Sequence, residues 1–171
     1  SVVNALSEYL KAEVHRDGKS WVQEYKNGIP QGPVKNIGKI KGTGTIITFK
    51  ADASIFTELE FNWGKILDRL RQQSYLTKGI TLNVLDKREG HREKHYRFHF
   101  EGGIASFARY LNRTKEVLHE PIYGEKEIDG VGVEFVVQYT DVFAESVYTF
   151  ANTINTVDGG THLTGLRAAL T

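Results

Sequence analysis

The sequence predicts an α+β protein. Short stretches of alternating polar and apolar residues read as strands, and they contain turn-forming glycines. Other stretches repeat apolar residues at helical spacing. Because the two patterns follow one another along the chain without an internal repeat, we expect helices and antiparallel hairpins packed together.

The first segment is predicted to be a helix followed by a sheet. Val2, Val3, Leu6 and Leu10 have helical spacing. Alternation on both sides of Asp17-Gly18 predicts a hairpin, since this dipeptide supplies the positive φ angles of a type I′ turn. The stretch "IPQGP" then predicts a loop, and "GTGTIITFKAD" a strand.

The period changes after the loop "KADASIFTELEFN", where we place a domain boundary, giving segments 1–60 and 61–171. Trp63, Ile66, Leu67 and Leu70 line one side of an amphipathic helix. The order expected after it is a hairpin turning at Glu89-Gly90, a helix, an irregular acidic stretch, two strands and a last helix. The two strands are "GVGVEFVVQY" and "AESVYTFAN", and the two remaining helices are "IASFARYLNR" and "THLTGLRAALT".

Composition limits the class of protein. Apolar residues make up 40% of the chain and the net charge is +1, which is typical of soluble globular proteins. The absence of cysteine excludes disulfides and thiolate chemistry, and it fits a cytoplasmic location. The chain contains no methionine, and helical patterns run into both of its ends, so we interpret it as an internal fragment of a longer protein.

Charge is distributed unevenly along the chain. Residues 62–97 contain nine Lys/Arg and four Asp/Glu, a net charge of +5. Residues 116–145 contain one Lys and eight Asp/Glu, a net charge of −7. Two solvated faces would explain this, and the alternative is a basic surface that meets a polyanion.

Histidines recur at four-residue spacing in "HREKHYRFHF". On a helix, His91, His95 and His99 would share a face and could bind a metal. The alternation of aromatic and polar residues predicts a strand instead, on which His95 and His99 lie too far apart to share an ion easily. We therefore favour a solvent-facing polar row.

The stretch "DGGTH" allows two interpretations. Asp158 and His162 could form an acid–histidine pair, yet no nucleophile accompanies them. A turn with Thr161 as the helix N-cap is favoured. The glycine pair is only a weak signal for phosphate binding, and Gly42 and Gly44 likewise fit either a ligand approach or a flexible strand entry.

Five stretches together resemble a known family. They are "SVVNALS", "KGTGTIITF", "RLRQQSYLTKGI", "FHFEGGIASFARYLN" and "VYTFANTINTVDGGTHLTGLRAAL". Their residues and order resemble the ATPase subunit of bacterial type IIA topoisomerases, which is the B subunit in DNA gyrase and ParE in topoisomerase IV. The resemblance covers essentially the whole chain and favours gyrase.

The resemblance implies the identity of both segments. Segment 1–60 corresponds to the C-terminal strip of a GHKL-type ATPase domain, and segment 61–171 to most of a transducer domain with a ribosomal-protein-like two-layer fold. The family's general-base glutamate, Mg²⁺-binding asparagine and glycine-rich lid correspond to positions before Ser1, and its γ-phosphate lysine to a position after Thr171. The resemblance therefore implies that ATP and Mg²⁺ serve the parent protein, while this chain alone is inactive as an ATPase.

Site residues also follow from the resemblance. Thr45 and Ile47 match positions of the adenine pocket, and Arg16 matches an arginine that contacts coumarin-type inhibitors. Arg167 matches an arginine lining the DNA cavity between two transducer domains. "DGGTH" matches the turn that leads into this helix.

The function implied is the coupling of ATP binding and hydrolysis to N-gate closure and DNA strand passage. The partners implied are DNA, the gyrase A-type subunit and a second copy of the B-type subunit. Two alternatives stay open. They are the equivalent segment of topoisomerase IV, which decatenates DNA, and a stand-alone nucleic-acid-binding module that uses the basic residues of Asn62–Arg97.

Overall fold

A computed structural model describes residues 1–89 and 94–171 of the chain. The chain divides into two compact units, Ser1–Phe61 and Asn62–Thr171. This division lies one residue from the boundary expected between residues 60 and 61. Both units combine helices with antiparallel sheets, as expected of an α+β fold.

The first unit is a short helix followed by one five-stranded antiparallel sheet. Strand order is β3-β2-β1-β5, and β4 also pairs with β2. The elements are α1 (Val2–Ala5), β1 (Ser7–Arg16), β2 (Lys19–Lys26), β3 (Ile29–Pro30), β4 (Lys35–Lys39) and β5 (Gly44–Ala51).

The predicted hairpin joins β1 to β2. Asp17 and Gly18 both have positive φ angles, +54° and +72°, as a type I′ turn requires. The adjacent β2–β3 turn uses Asn27 and Gly28 in the same way, with φ angles of +49° and +79°. Two-residue sequence signals therefore specify both turns in this part of the sheet.

The predicted opening helix is wrong beyond its first turn. The helix ends at Ala5, and Leu10 lies in β1, where it is buried. Ser7 Oγ donates a hydrogen bond of 2.6 Å to the Val3 carbonyl where the chain leaves the helix. Pairing of β1 with both β2 and β5 outweighs the helical spacing of four apolar residues.

The predicted "IPQGP" loop contains a short strand. Ile29 and Pro30 pair with the end of β2 at the edge of the sheet. Proline is tolerated in an edge strand because it lacks the backbone N–H that a central strand needs for its sheet hydrogen bonds. The β4 strand was not expected, because Gly38 and an irregular register interrupt its alternation.

The second unit packs helices with three two-stranded antiparallel sheets. The β6–β7 and β8–β9 pairs are long, whereas β10–β11 has two residues in each strand. The elements are α2 (Trp63–Leu76), β6 (Thr81–Asp86), β7 (Lys94–His99), α3 (Gly103–Leu111), β8 (Ile122–Ile128), β9 (Val131–Val137), β10 (Phe150–Ala151), β11 (Ile154–Asn155) and α4 (Thr161–Leu170).

Aromatic side chains form the core of this unit. Tyr75 of α2 stacks on Phe100, with ring centroids 3.9 Å apart, and on Phe107 of α3 at 5.3 Å. Phe98 of β7 is 2% exposed. The predicted inward faces of both helices and the predicted second hairpin are confirmed. Gly90 of that hairpin's predicted turn lies outside the described residues.

Two expectations for the acidic region are wrong. The stretch expected to be irregular contains β8, and "AESVYTFAN" is irregular except for Phe150–Ala151. Strand β9 pairs with the preceding β8 through a turn at Asp129-Gly130, whose φ angles are +52° and +77°. A nearby positive-φ turn thus decided which segment paired with β9.

None of the helices formed by residues 1–89 and 94–171 is long and apolar enough to span a lipid bilayer.

Candidate functional site

The first candidate site is one face of the sheet in the first unit. Thr45 and Ile47 of β5 lie opposite Val14 and Ala12 of β1. Val14 in turn lies opposite Trp21 of β2. Because directly opposed residues of an antiparallel pair share a face, all five side chains lie on the same side of the sheet.

This face is apolar and open. Ile47 is 52% exposed, and Val14 and Trp21 are each 37% exposed. The Thr45 hydroxyl makes no hydrogen bond to any residue in the described part of the chain. The unpaired hydroxyl beside exposed apolar side chains can form one hydrogen bond to a ligand that covers this face.

Arg16 extends the same face to the end of β1. It lies two residues beyond Val14, so its side chain has the same orientation. The side chain is 77% exposed and lies 3.6 Å (Nε to Oδ2) from Asp17 in the turn. The structure therefore brings the predicted residues Arg16, Thr45 and Ile47 onto one surface.

A polar network occupies the opposite face of β1. Glu13 Oε1 lies 2.9 Å from His15 Nε2 and accepts a hydrogen bond of 3.1 Å from Ser20 Oγ. The hydrogen bonds from His15 and then Ser20 lower the pKa of Glu13, and Lys11 lies 3.5 Å away. Since Ser20 donates to Glu13 and not to the imidazole, the network has no activated serine. The cross-strand register that assembles it was missed at the sequence level.

Asp52 holds the end of β5 in place. Its carboxylate accepts hydrogen bonds from the Ser54 backbone N–H at 2.8 Å, from Ser54 Oγ at 2.6 Å and from Asn27 Nδ2 at 2.6 Å. These bonds, the two from Ser54 first, lower the pKa of Asp52 although its burial opposes this. The bonds tie β5 to the β2–β3 turn and so fix the strand that carries Thr45.

The second candidate site is the "DGGTH" turn with helix α4. Gly159 and Gly160 have φ angles of +79° and +146°, which favour glycine. The predicted turn into the helix is confirmed, but the predicted N-cap is wrong. Gly160 is the N-cap, and Thr161 is the first helical residue with no side-chain cap bond.

The possible Asp158–His162 pair does not form. His162 Nε2 lies 3.2 Å from Thr156 Oγ1, and Thr156 in turn contacts the Thr149 hydroxyl at 2.7 Å. Asp158 makes no hydrogen bond or ion pair within residues 1–89 and 94–171. The imidazole therefore braces the turn, which agrees with the favoured interpretation.

Arg167 lies on the exposed side of α4. Its Nη2 is 3.0 Å from Glu145 Oε1, and the two side chains are 57% and 69% exposed. An ion pair this open contributes about 0–1 kcal/mol, because water screens both charges. A phosphate oxygen could therefore replace Glu145 at little cost.

The histidine row is confirmed as a strand. His95 and His99 lie on the outward face of β7, and His91 lies outside the described residues. His99 Nδ1 is 3.2 Å from Thr81 Oγ1 and 3.1 Å from the Ile80 carbonyl oxygen. The described residues contain no group of three or more His, Cys, Asp or Glu placed to hold a metal.

A cluster around Lys78 was missed entirely by the sequence analysis. Lys78 Nζ donates a hydrogen bond of 2.7 Å to Tyr123 Oη and lies 3.0 Å from Glu125 Oε2 and 3.3 Å from Glu134 Oε2. These contacts, first those of Tyr123 and Glu125, raise the pKa of Lys78. Hydrogen bonds from Tyr123 and then Lys78 lower the pKa of Glu125.

Comparisons with known proteins identify relatives of the whole chain. The family model for DNA gyrase B matches residues 103–171. The chain is 50% identical over its full length to the DNA gyrase B protein of Halalkalibacterium halodurans, and 45% identical to those of Clostridium acetobutylicum and Archaeoglobus fulgidus. It spans 27% of the length of each of these three relatives.

Solved structures agree. The 43K ATPase domain of Thermus thermophilus gyrase B, in complex with an aminocoumarin, superposes with a TM-score of 0.85 at 38% identity, over 98% of this chain and 46% of that one. The B-subunit of the DNA gyrase from Myxococcus xanthus superposes with a TM-score of 0.83 at 26% identity, over 96% of this chain and 48% of that one. Over its full length the chain is therefore similar to part of DNA gyrase B proteins.

Proposed function

We propose that this chain is the segment of a DNA gyrase B protein that joins the nucleotide-binding domain to the transducer. In the parent enzyme it would couple ATP binding and hydrolysis to closure of the N-gate and to DNA strand passage, which gives negative supercoiling. One observation carries the proposal: 98% of the chain superposes on a gyrase B ATPase domain at a TM-score of 0.85. Coupling requires an element whose arrangement nucleotide binding can bias.

We assign Ser1–Phe61 to the C-terminal part of the GHKL ATPase domain and Asn62–Thr171 to the transducer. In this assignment Thr45 and Ile47 bind adenine, Thr45 through its hydroxyl and Ile47 as an apolar wall. Arg16 stands at the mouth of the pocket and meets coumarin-type inhibitors. The open apolar face around Val14 and the free Thr45 hydroxyl support the assignment.

ATP, with Mg²⁺, would supply the free energy for gate closure in the parent protein. This chain contributes one wall for the base and no catalytic group, so we expect it to have no ATPase activity by itself. Metal-dependent ATP turnover that copurifies with the chain through several columns would contradict this part of the proposal.

Arg167 is assigned to the DNA cavity. Its exposed guanidinium, whose one ion-pair partner among the described residues is Glu145, can exchange that partner for a phosphate without a large cost. Such contacts give affinity for DNA without a sequence preference. We further propose as partners the gyrase A-type subunit and a second copy of the gyrase B protein, with the complex in the cytoplasm.

The decisive experiment uses the full-length gyrase B protein assembled with its A-type partner. Arg167→Gln should lower supercoiling more than DNA-independent ATPase, because it removes a phosphate contact and leaves the nucleotide pocket intact. Arg109→Gln is the matched control, since Arg109 forms a similar exposed ion pair with Glu120. Equal loss of supercoiling and ATPase, or equal effects of both substitutions, would refute the cavity role.

A further inference from the structure

We propose that the outward face of the β6–β7 hairpin, with Lys87 at its turn end, binds the phosphate backbone of duplex DNA. The surface, here termed the hairpin face, is separate from α4 and its Arg167. The choice of DNA as the polyanion rests on the proposed function. The geometry and charge of the hairpin face do not depend on that function.

Alternation along the hairpin sorts its side chains into two sets. Inward residues include Phe98, which is buried, and Asp86, which is 7% exposed and paired with Arg88 at 2.7 Å. On the outward side, three directly opposed pairs share one face. They are Thr81 with His99, Asn83 with Arg97, and Leu85 with His95.

The outward set has the chemistry of a phosphate-binding surface. Five of its six side chains carry hydroxyl, amide, imidazole or guanidinium groups that can donate to phosphate oxygens, and Leu85 is the exception. The hairpin face itself contains no carboxylate. Described carboxylates near it are Glu101, 3.6 Å from His99 Nε2, Glu89 beyond the end of β6, and Asp86, which lies on the inward side and is paired with Arg88.

Two cations of this surface form no ion pair with a described carboxylate. Lys87 and Arg97 form no ion pair with any residue of the described ranges 1–89 and 94–171. Some other cations of the second unit are paired within 4 Å, as Arg109 is with Glu120. A phosphate approaching the hairpin face would therefore not have to displace a carboxylate from these two cations.

The hairpin face is also anchored in the core and is long enough to engage a duplex. Phe98 anchors β7 in the aromatic core, and the Arg71 guanidinium lies 5.6 Å from its ring centroid. Four residues of strand separate His95 from His99, or about 13 Å. A duplex presents about eight phosphate charges over that length, at about one per 1.7 Å of axis.

The β8–β9 hairpin provides an internal control. It is a two-stranded hairpin of similar length, yet Glu125, Glu127 and Glu134 share one of its faces. Lys126 lies on its other face, opposite Val133, and like Arg97 it forms no ion pair with a described residue. Neutralising Lys126 removes the same charge as neutralising Arg97 but leaves the hairpin face untouched.

The test measures the affinity of the purified 171-residue chain for a fluorescently labelled 20-base-pair duplex, by anisotropy, without nucleotide. A potassium chloride series gives the slope of log affinity against log salt. Removing one phosphate contact reduces that slope by about 0.9 and weakens binding about eightfold at 0.1 M salt. We expect this for Arg97→Gln and for Lys87→Gln, and no change for Lys126→Gln.

Circular dichroism and thermal melting check that each variant is folded. Because the two hairpin substitutions are at separate exposed positions, the test does not depend on either variant alone. Unchanged affinity and slope for both hairpin variants would overturn the proposal, and so would an equal loss with Lys126→Gln. Arg167→Gln, measured in parallel, separates the two claims. If it weakens binding while the hairpin variants do not, the hairpin face is refuted and the cavity role stands.

Discussion

Glu125 and Glu134 lie directly opposite each other in the β8–β9 hairpin, and the ammonium of Lys78 contacts both carboxylates. Like charges in this position repel and destabilise a sheet. Lys78 lies in the segment between α2 and β6, so the contact joins that segment to the hairpin. One cation thus relieves the repulsion and connects two parts of the second unit.

Replacing Lys78 should therefore destabilise the second unit. Lys78→Met keeps most of the aliphatic chain and removes the charge, which leaves the two glutamates unneutralised. We expect the melting temperature to fall by about 2–4 °C at pH 7, the change that about 1 kcal/mol produces in a protein of this size. Differential scanning calorimetry checks it.

A double substitution separates repulsion from other causes. Adding Glu134→Gln to Lys78→Met should recover part of the loss in melting temperature, because Glu125 then has no carboxylate opposite it. Lys126→Met is the matched control and should change the melting temperature by no more than about 1 °C. An identical loss in the presence and absence of Glu134→Gln would argue against the electrostatic role.

Acid should weaken the first unit through Asp52. Hydrogen bonds from Ser54 and Asn27 hold the folded-state pKa of this carboxyl below its ordinary value of 3.8. The ionised form therefore contributes stability above pH 3.8, and this contribution is lost as the pH falls through the lower folded-state pKa. Asp52→Asn should melt lower at pH 7 and lose less stability between pH 5 and about pH 2 than the parent does.

Urea unfolding followed by the fluorescence of Trp21 measures this difference, with Trp63→Phe as the background so that Trp21 reports alone. The matched control is Asp17→Asn, because Asp17 lies in the exposed β1–β2 turn with an 87% exposed side chain. Parallel pH profiles for the Asp52→Asn variant and its parent would contradict the prediction.

The Thr45 hydroxyl should matter for nucleotide and not for folding. Thr45→Val removes a hydroxyl that has no partner in the described chain, so the melting temperature of this chain should stay within about 1 °C. In a full-length gyrase B protein that carries this segment, the Kd for a non-hydrolysable ATP analogue should rise about fivefold to tenfold, the effect of one hydrogen bond.

Thr48→Val is the control, because Thr48 lies opposite Lys11 on the other face of β5. Isothermal titration calorimetry gives both dissociation constants. The assigned role of Thr45 would be refuted if the two valine variants bound the analogue equally.

Local signals in the sequence predicted the parts of the fold that depend on neighbours in the chain. Asp17-Gly18 specified its turn, and the helical spacing from Trp63 to Leu70 specified α2. The same dipeptide at Asp129-Gly130 carried an equally clear signal. It was overlooked because the acidic residues around it suggested an irregular segment.

Long-range pairing explains what the sequence could not predict. The four apolar residues ending at Leu10 fit a helix, and only the ladders from β2 and β5 make that segment a strand. The Lys78–Glu125 contact joins residues 47 positions apart. No local pattern indicates such a contact. The shared face of Arg16 and Thr45 likewise depends on the register of β1 with β5.

The last prediction concerns Gly103, the first residue of α3. Its φ angle is +55°, and a Cβ there would lie 2.6 Å from Lys78 Cε and 2.8 Å from Cγ. Gly103→Ala should therefore destabilise the chain by about 1–2 kcal/mol from backbone strain, and more if Lys78 cannot move aside. The same substitution should weaken the contacts of Lys78 with Glu125 and Glu134 in the β8–β9 hairpin.

Gly132→Ala in β9 is the matched control, because Gly132 has no positive φ angle and a Cβ there would meet no atom within 4 Å. Urea denaturation gives both free energies of unfolding. If Lys78 transmits the strain, combining Gly103→Ala with Lys78→Ala should cost less than the sum of the single changes, since removing the long side chain clears the space that the new methyl group needs. Strict additivity would place the cost of Gly103→Ala in the backbone alone.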